Sequence, residues 1–421
     1  MDLYKLLQDK IGENITGKLL SSPYTFKAAR LLFRKQKFPF QATRMMVDMG
    51  LKQAEDAYQH RAPVVWTSAF FPGELIHALG LIPFAPEVGA ATAAPLKLVP
   101  KLMQLAEEAG FDSDGCSFHR CAAGGALSGY FPSPDLLAAS SHLCDGAAHL
   151  FSFLSQRLKK PFFCLDVPAE QQAESEKYLA DQLEEFVLHL EKETGRKLTR
   201  EKLRQAFAHS NRARKALLKV NKLRQQYPLS MRSGEGLAFV YLVFMGQGHP
   251  RTPLIYESLA RELGKRGDKN QSREGGKMRL LWLHLKPYYD NMLMDLLEDK
   301  LQCRIAFEEM NYVHWEPLDP EKPFLSLARK LLGHPSLGPI EKRLALIERL
   351  SAAYQVQAVV QFSHWGCRQA VGGSLYLKEE LAKKGIHFLS LDGDCVDRGS
   401  FPPGQTQTRL ESFIEMITGQ G

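Results

Sequence analysis

Seven cysteines in a chain of 421 residues are the side chains best suited to chemistry, and their spacing narrows what that chemistry is. Cys116 and Cys121 stand at the head of a glycine-rich segment, Cys144 closes it, and Cys367 and Cys395 return to the theme near the C-terminus. Soft thiolates gathered at loop positions suit zinc or an iron–sulfur cluster. Zinc favours short CxxC pairs, which the sequence lacks, so the cluster is the stronger reading. A thiol nucleophile, Cys116 or Cys121 with His119 as its base, is the competing chemistry. His142 and His364 precede Cys144 and Cys367 in matching Ser-His contexts, where each can donate a hydrogen bond to a metal-bound sulfur. Arg120 and Arg368 can offset the negative charge of a thiolate-bound cluster, and His119 is a candidate proton donor.

Composition limits the alternatives. With 44% hydrophobic residues the chain can build two or three domains, each with its own core. Its N-terminal residues carry dispersed charge and no apolar core of a signal peptide, so a cytoplasmic protein is expected. The most apolar stretch, Leu237 to Met245, is far short of the roughly 18 residues of a membrane span. An odd number of cysteines in such a chain argues against disulfides and for metal ligation or buried thiols. The net charge of +7 is modest. Much of the basic excess lies between Arg196 and Arg224, where Leu198, Leu203, Phe207, Ala213, Leu217 and Val220 recur at helical spacing. That pattern reads as an amphipathic helix with a solvated basic face, and no interleaved aromatics point to nucleic acid. GGALSG lacks the lysine of a phosphate-binding loop and a strand immediately before it, so no ATP site is expected in the chain itself.

The elements that must hold these residues alternate between strand and helix. A helical segment of residues 1–60 is expected to lead into a first α/β domain, 61–170, with strands around Ala62–Thr67, Leu81–Pro86, Asp135–Ser140 and Pro161–Val167. A helical region, 171–265, follows, and the charged stretch Glu262–Lys277 reads as the main boundary. A second α/β domain, 275–421, repeats the first, with strands around Arg279–Leu285, Arg304–Glu308, Ala358–Phe362 and His387–Leu391. ASSHLCD after the third strand of the first half meets QFSHWGCR in the second, and CLDVP meets SLDGD. Two parallel-sheet domains of this kind bind ligands beyond the carboxyl ends of their strands, where Cys144 and Cys367 both fall.

PGELIHALGLIPFAP, CSFHR, PSPDLLAASSHLCD, PFFCLDVP, SHWGCR and LDGDCVDRGSFPPGQTQTRLESFIEM together resemble the successive motifs of the 2-hydroxyacyl-CoA dehydratase superfamily, whose members include those of benzoyl-CoA reductase. The resemblance implies two Rossmann-like domains holding a [4Fe-4S] cluster through Cys116, Cys144 and Cys367. It also implies an ATP-hydrolysing iron–sulfur activator protein that injects low-potential electrons. Cys121 and Cys395 depart from that pattern and resemble the double-cubane branch, whose [8Fe-9S] centre needs six cysteines. On that reading Cys164 is the sixth ligand and Cys303, placed before its strand, is a buried thiol. The expected function is therefore a double-cubane reductase of small molecules, working as a homodimer with the activator. A dehydratase subunit with a single cubane and a non-catalytic electron carrier are the alternatives.

Overall fold

A computed structural model describes residues 22–34, 36–270 and 277–419. Its strands form two four-stranded parallel sheets. β1 (Val64–Thr67), β2 (Ile82–Phe84), β3 (Leu136–Ser140) and β4 (Phe162–Leu165) lie in the order β2-β1-β3-β4. β5 (Met278–Leu283), β6 (Cys303–Glu308), β7 (Ala358–His364) and β8 (His387–Gly393) lie in the order β6-β5-β7-β8. The central strands VVWT, LLAAS and AVVQFSH are buried at every position, as strands covered by helices on both faces must be. In each sheet the strand order reverses between the first and third strands, which opens a crevice at their carboxyl ends.

The strands lie where the apolar runs place them, with a few local differences. Cys303 is the first residue of β6 instead of preceding it. Between β5 and β6 the chain makes only a short helical turn, Leu293–Asp295, followed by a π-type turn, Leu296–Lys300. The glycine-rich stretch after Cys116 is a helix, Ser117–Leu127. Gly124 is a packing device: a Cβ there would overlap the Leu102 carbonyl oxygen, so the helix Val99–Glu108 can cross only over a residue without a side chain. The boundary stretch Glu262–Lys277 begins inside the helix Thr252–Asn270 and otherwise falls largely outside the described residues, as do residues 1–21 of the helical entry segment.

The helical region joins the two halves through buried ion pairs. The basic segment is the 27-residue helix Arg200–Gln226, which buries Leu203, Phe207, Leu217 and Val220 on one face. Arg224 on that face is buried too. It clamps Glu308 of β6 with two hydrogen bonds, of 2.6 and 2.9 Å, and donates a third to the Ala306 carbonyl at 3.0 Å. Glu74, fully buried beside the first sheet, accepts from Ser210 at 3.0 Å and from Lys330 at 2.6 Å. A guanidinium placed this way loses its water, so the pair holds only because the fork geometry returns several charge-assisted bonds.

Candidate metal centre

Three thiols from the two halves line one cavity of about 560 Å³: Cys116, Cys144 and Cys367. Each is the residue just before a helix, Ser117–Leu127, Asp145–Leu158 and Arg368–Val371 respectively. Cys144 follows β3 and Cys367 follows β7, the equivalent strands of the two sheets. First-turn amides and the positive end of a helix favour a thiolate there. Gly366 makes the approach of the halves feasible. It sits at φ +75°, and a Cβ on it would lie 2.9 Å from Cys116 Cα and 3.0 Å from Cys116 N.

Every one of the three sulfurs has an imidazole beside it, brought from a different element. His364 at the end of β7 places Nε2 3.2 Å from Cys116 Sγ. Its Nδ1 accepts the Cys395 amide at 3.1 Å, which puts the ring proton on Nε2, facing the sulfur. His119 Nε2 is 3.7 Å from Cys144 Sγ, and His284 Nε2 is 3.7 Å from Cys367 Sγ. Burial lowers all three histidines, His119 to about 4 and His284 to about 3, so they stand neutral. Burial also pushes the thiols up: Cys116 well above the usual range, with Cys144 and Cys367 adding to the effect, and Cys144 to about 12. Cys367 rises for the same reason, opposed by the Ala370 amide and by Arg343. Arg343 is buried, held by Glu309 through bonds of 2.6 and 2.7 Å, and lines the cavity.

The other cysteines stand apart from the cavity lining. Cys121 and Cys395 are fully buried in the apolar core behind it, together with Phe118 and Phe362. Cys395 is close enough to Cys116 and Cys367 that their charge adds to the burial and Asp394 that raise it. Asp394 fixes this corner, accepting Ser117 Oγ at 2.7 Å and the amides of Val396 and Asp397 at 2.8 and 2.7 Å. Cys303 is buried in the same core, and Cys164 is exposed on the edge strand β4. Among the described residues no three His, Cys, Asp or Glu side chains converge on a single ion. The triad instead surrounds an open volume.

The remaining candidates sort by what they touch. His142 lines the cavity but donates Nε2–H to the Leu331 carbonyl at 2.9 Å. Arg120 pairs with Glu107, away from the sulfurs. Arg368, largely exposed, pairs with Asp145 and so ties the helix after Cys144 to the helix after Cys367. Sequence reasoning missed His284, Arg343 and Glu87. Glu87 lies in the first turn of the helix Pro86–Ala93 and faces the cavity, with Oε2 buried and without a partner. Burial pushes its carboxyl up to about 7, against the pull of its own amide and that of Ala69.

Comparison with known proteins places this architecture. Residues 68–417 match the family described as 2-hydroxyglutaryl-CoA dehydratase, D-component. The chain belongs to that family. Its relatives include the alpha subunit of lactoyl-CoA dehydratase of Anaerotignum propionicum, 20% identical over 87% of this chain and 94% of that one. The alpha subunit of (R)-2-hydroxyglutaryl-CoA dehydratase of Acidaminococcus fermentans is 21% identical over 90% and 96%. One of the subunits of benzoyl-CoA reductase of Thauera aromatica is 24% identical over 83% and 88%. The relatives are enzyme subunits, and no helix among the described residues is long and apolar enough to cross a membrane.

Proposed function

We propose that this chain is a subunit of a 2-hydroxyacyl-CoA dehydratase-type enzyme whose Cys116, Cys144 and Cys367 hold a [4Fe-4S] cluster facing an acyl-CoA thioester. The carrying observation is that these three thiols, from both halves, line one cavity with free volume before them. The donor set fits such a group: three soft sulfurs, each with an imidazole proton donor or neighbour, and a buried guanidinium close by. When bound, a cluster with three protein ligands supplies one-electron chemistry and an iron with an open position for a substrate oxygen. The chain's own residues then do the rest. His364 holds its Nε2 proton toward Cys116. Arg343 brings positive charge to the Cys367 side. Glu87, titrating close to neutrality, can give a proton to the substrate or take one from it. The apolar walls, Phe118, Leu237 and Phe244 among them, keep water away.

Electrons come, on this reading, from a separate ATP-hydrolysing iron–sulfur activator. An exposed apolar patch beside Cys367, made of Trp365, Val371 and Leu375, supports a docking face there. The chain pairs with a second subunit, a copy of itself or a diverged paralogue. A second reading, a reductase with an [8Fe-9S] double cubane, is favoured by one observation: the buried Cys395 thiol lies within electrostatic reach of Cys116 and Cys367, and Cys121 shares its core. Iron and acid-labile sulfide per chain, from anaerobically purified protein, separate the two. About four of each supports the single cubane, about eight iron the double one, and zinc without sulfide sinks both.

A further inference from the structure

The cavity of the three thiols does not end at the thiols. A second chamber of about 340 Å³ lies against it, between the helices Pro23–Phe33, Gln41–Tyr58 and Pro86–Ala93. Met46, Val88, Thr92 and Tyr241 line both volumes, so the two are neighbours parted only by these four side chains. The far walls are apolar: Phe26, Ala29, Phe33, Ala54 and Phe131. Three hydroxyls at its edge are already engaged, Tyr241 with Gln53 Oε1 at 2.8 Å, Thr92 with the Gly89 carbonyl at 2.8 Å, and Tyr58 with the Tyr130 carbonyl; Gln53 Nε2 is the buried polar atom of the lining left without a partner. At this size the chamber alone reaches the lower range of small-molecule sites, which are roughly 300–1,000 Å³.

An apolar recess of that size, partly open to solvent, leaves its walls without packing partners and is filled most favourably by hydrocarbon. We propose that the second chamber is the subsite for the hydrocarbon end of the substrate, admitting a medium-length, branched or aromatic acyl group past Val88 and Tyr241. The thioester end then lies among Cys116, Cys144 and Cys367; that part rests on the function proposed above, the chamber's preference for hydrocarbon does not. Ala29 and Ala54 set the depth of the chamber, because they line it and do not line the thiol cavity. They are specificity-determining positions that touch none of the proposed cluster ligands.

The test measures binding, not turnover, on protein purified anaerobically with its own iron. Two probes carry no nucleotide, S-octanoyl- and S-acetyl-N-acetylcysteamine, and two are the octanoyl and acetyl thioesters of CoA. Each buried methylene raises affinity about fourfold, so burial of half of the six extra methylenes gives the octanoyl probe an advantage of about sixtyfold. Ala54→Phe and Ala29→Phe, on different helices, are each expected to bring that advantage below tenfold and leave acetyl binding unchanged. Melting curves confirm that the variants fold, and Ala54→Leu serves if the aromatic ring is not accommodated. No chain-length preference in the wild type, or variants that weaken both lengths alike or retain the advantage, overturns the proposal. If the small thioesters behave as expected but neither CoA ester binds, the CoA reading fails and the chamber stands. If both CoA esters bind equally well, the reverse holds.

Discussion

Gly366→Ala tests whether the contact between the two halves, more than either half alone, makes the metal centre. Two penalties follow from the geometry. At φ +75° an alanine enters the left-handed region, at about 1–2 kcal/mol. In addition its Cβ would meet Cys116 Cα at 2.9 Å and N at 3.0 Å, where carbon atoms rest at about 3.5–4.0 Å. Both obstructing atoms are backbone, so no side chain can turn aside, and the Cys116 loop must withdraw by roughly half an ångström or more. Gly385→Ala is the control, because it has φ +71° with nothing within 4 Å of the added methyl. Both variants are expected to lose similar stability from the backbone term. Only Gly366→Ala should lose most of its iron and sulfide, measured per chain after anaerobic purification, since a cluster tolerates little displacement of a ligand. Iron in Gly366→Ala equal to that of the control, or equal losses in both, would refute the argument that this close approach positions Cys116.

Two further outcomes follow from buried charge. Glu87 binds a proton more tightly folded than unfolded, so between pH 4.5 and about 7 it makes the iron-free protein less stable as pH rises, by at most about 3 kcal/mol. Glu87→Gln should remove that slope, and the gap between variant and wild type in urea midpoint should widen from pH 5 to pH 8; a gap that does not change with pH speaks against the assignment. Arg224→Met leaves Glu308 buried with only Asn311 at 3.0 Å as a side-chain partner, and should destabilise by about 3–5 kcal/mol. The double change Arg224→Met/Glu308→Leu should recover most of that loss in the same denaturation assay, and failure to do so would mean that the two residues do not act as a pair.

How much of this could be read from the sequence depends on whether a feature is local. The strands are legible because covered parallel strands read as near-continuous apolar runs, and VVWT, LLAAS and AVVQF do, with one polar residue each. The positions of Cys144 and Cys367 follow from the same logic, each just past a strand that the pattern identifies. The Ser117–Leu127 helix was obscured because glycines normally argue against helix, and only the crossing of Val99–Glu108 over Gly124 and the Phe131 ring against Gly125 explain them. His284 sits in Leu-His-Leu, which reads as a strand continuing, yet its φ of +67° turns the chain at the end of β5 and brings the ring to Cys367. Glu87 carried a faint signal, an acidic residue in a first helical turn after a proline, which predicts a capped helix and says nothing of a cavity.

The imidazoles and the guanidinium were out of reach for a deeper reason. Cys116 is served by a histidine 248 positions away and Cys144 by one 25 positions away, and the Arg343–Glu309 pair spans 34. No periodicity encodes such pairings; the first exists only once the sheets face each other, and the other two only once each half has folded. The two halves share a strand order but contribute unequally. The first brings two thiols, Cys116 and Cys144, with His119 and Glu87, and the second brings Cys367 with His364, His284 and Arg343. The histidine beside Cys116 belongs to the second half, and Gly366 of that half presses on Cys116 itself. Neither half alone therefore contains a complete set of sulfurs, and the first lacks the imidazole beside its own Cys116, so binding at this centre must be coupled to the docking of one half on the other.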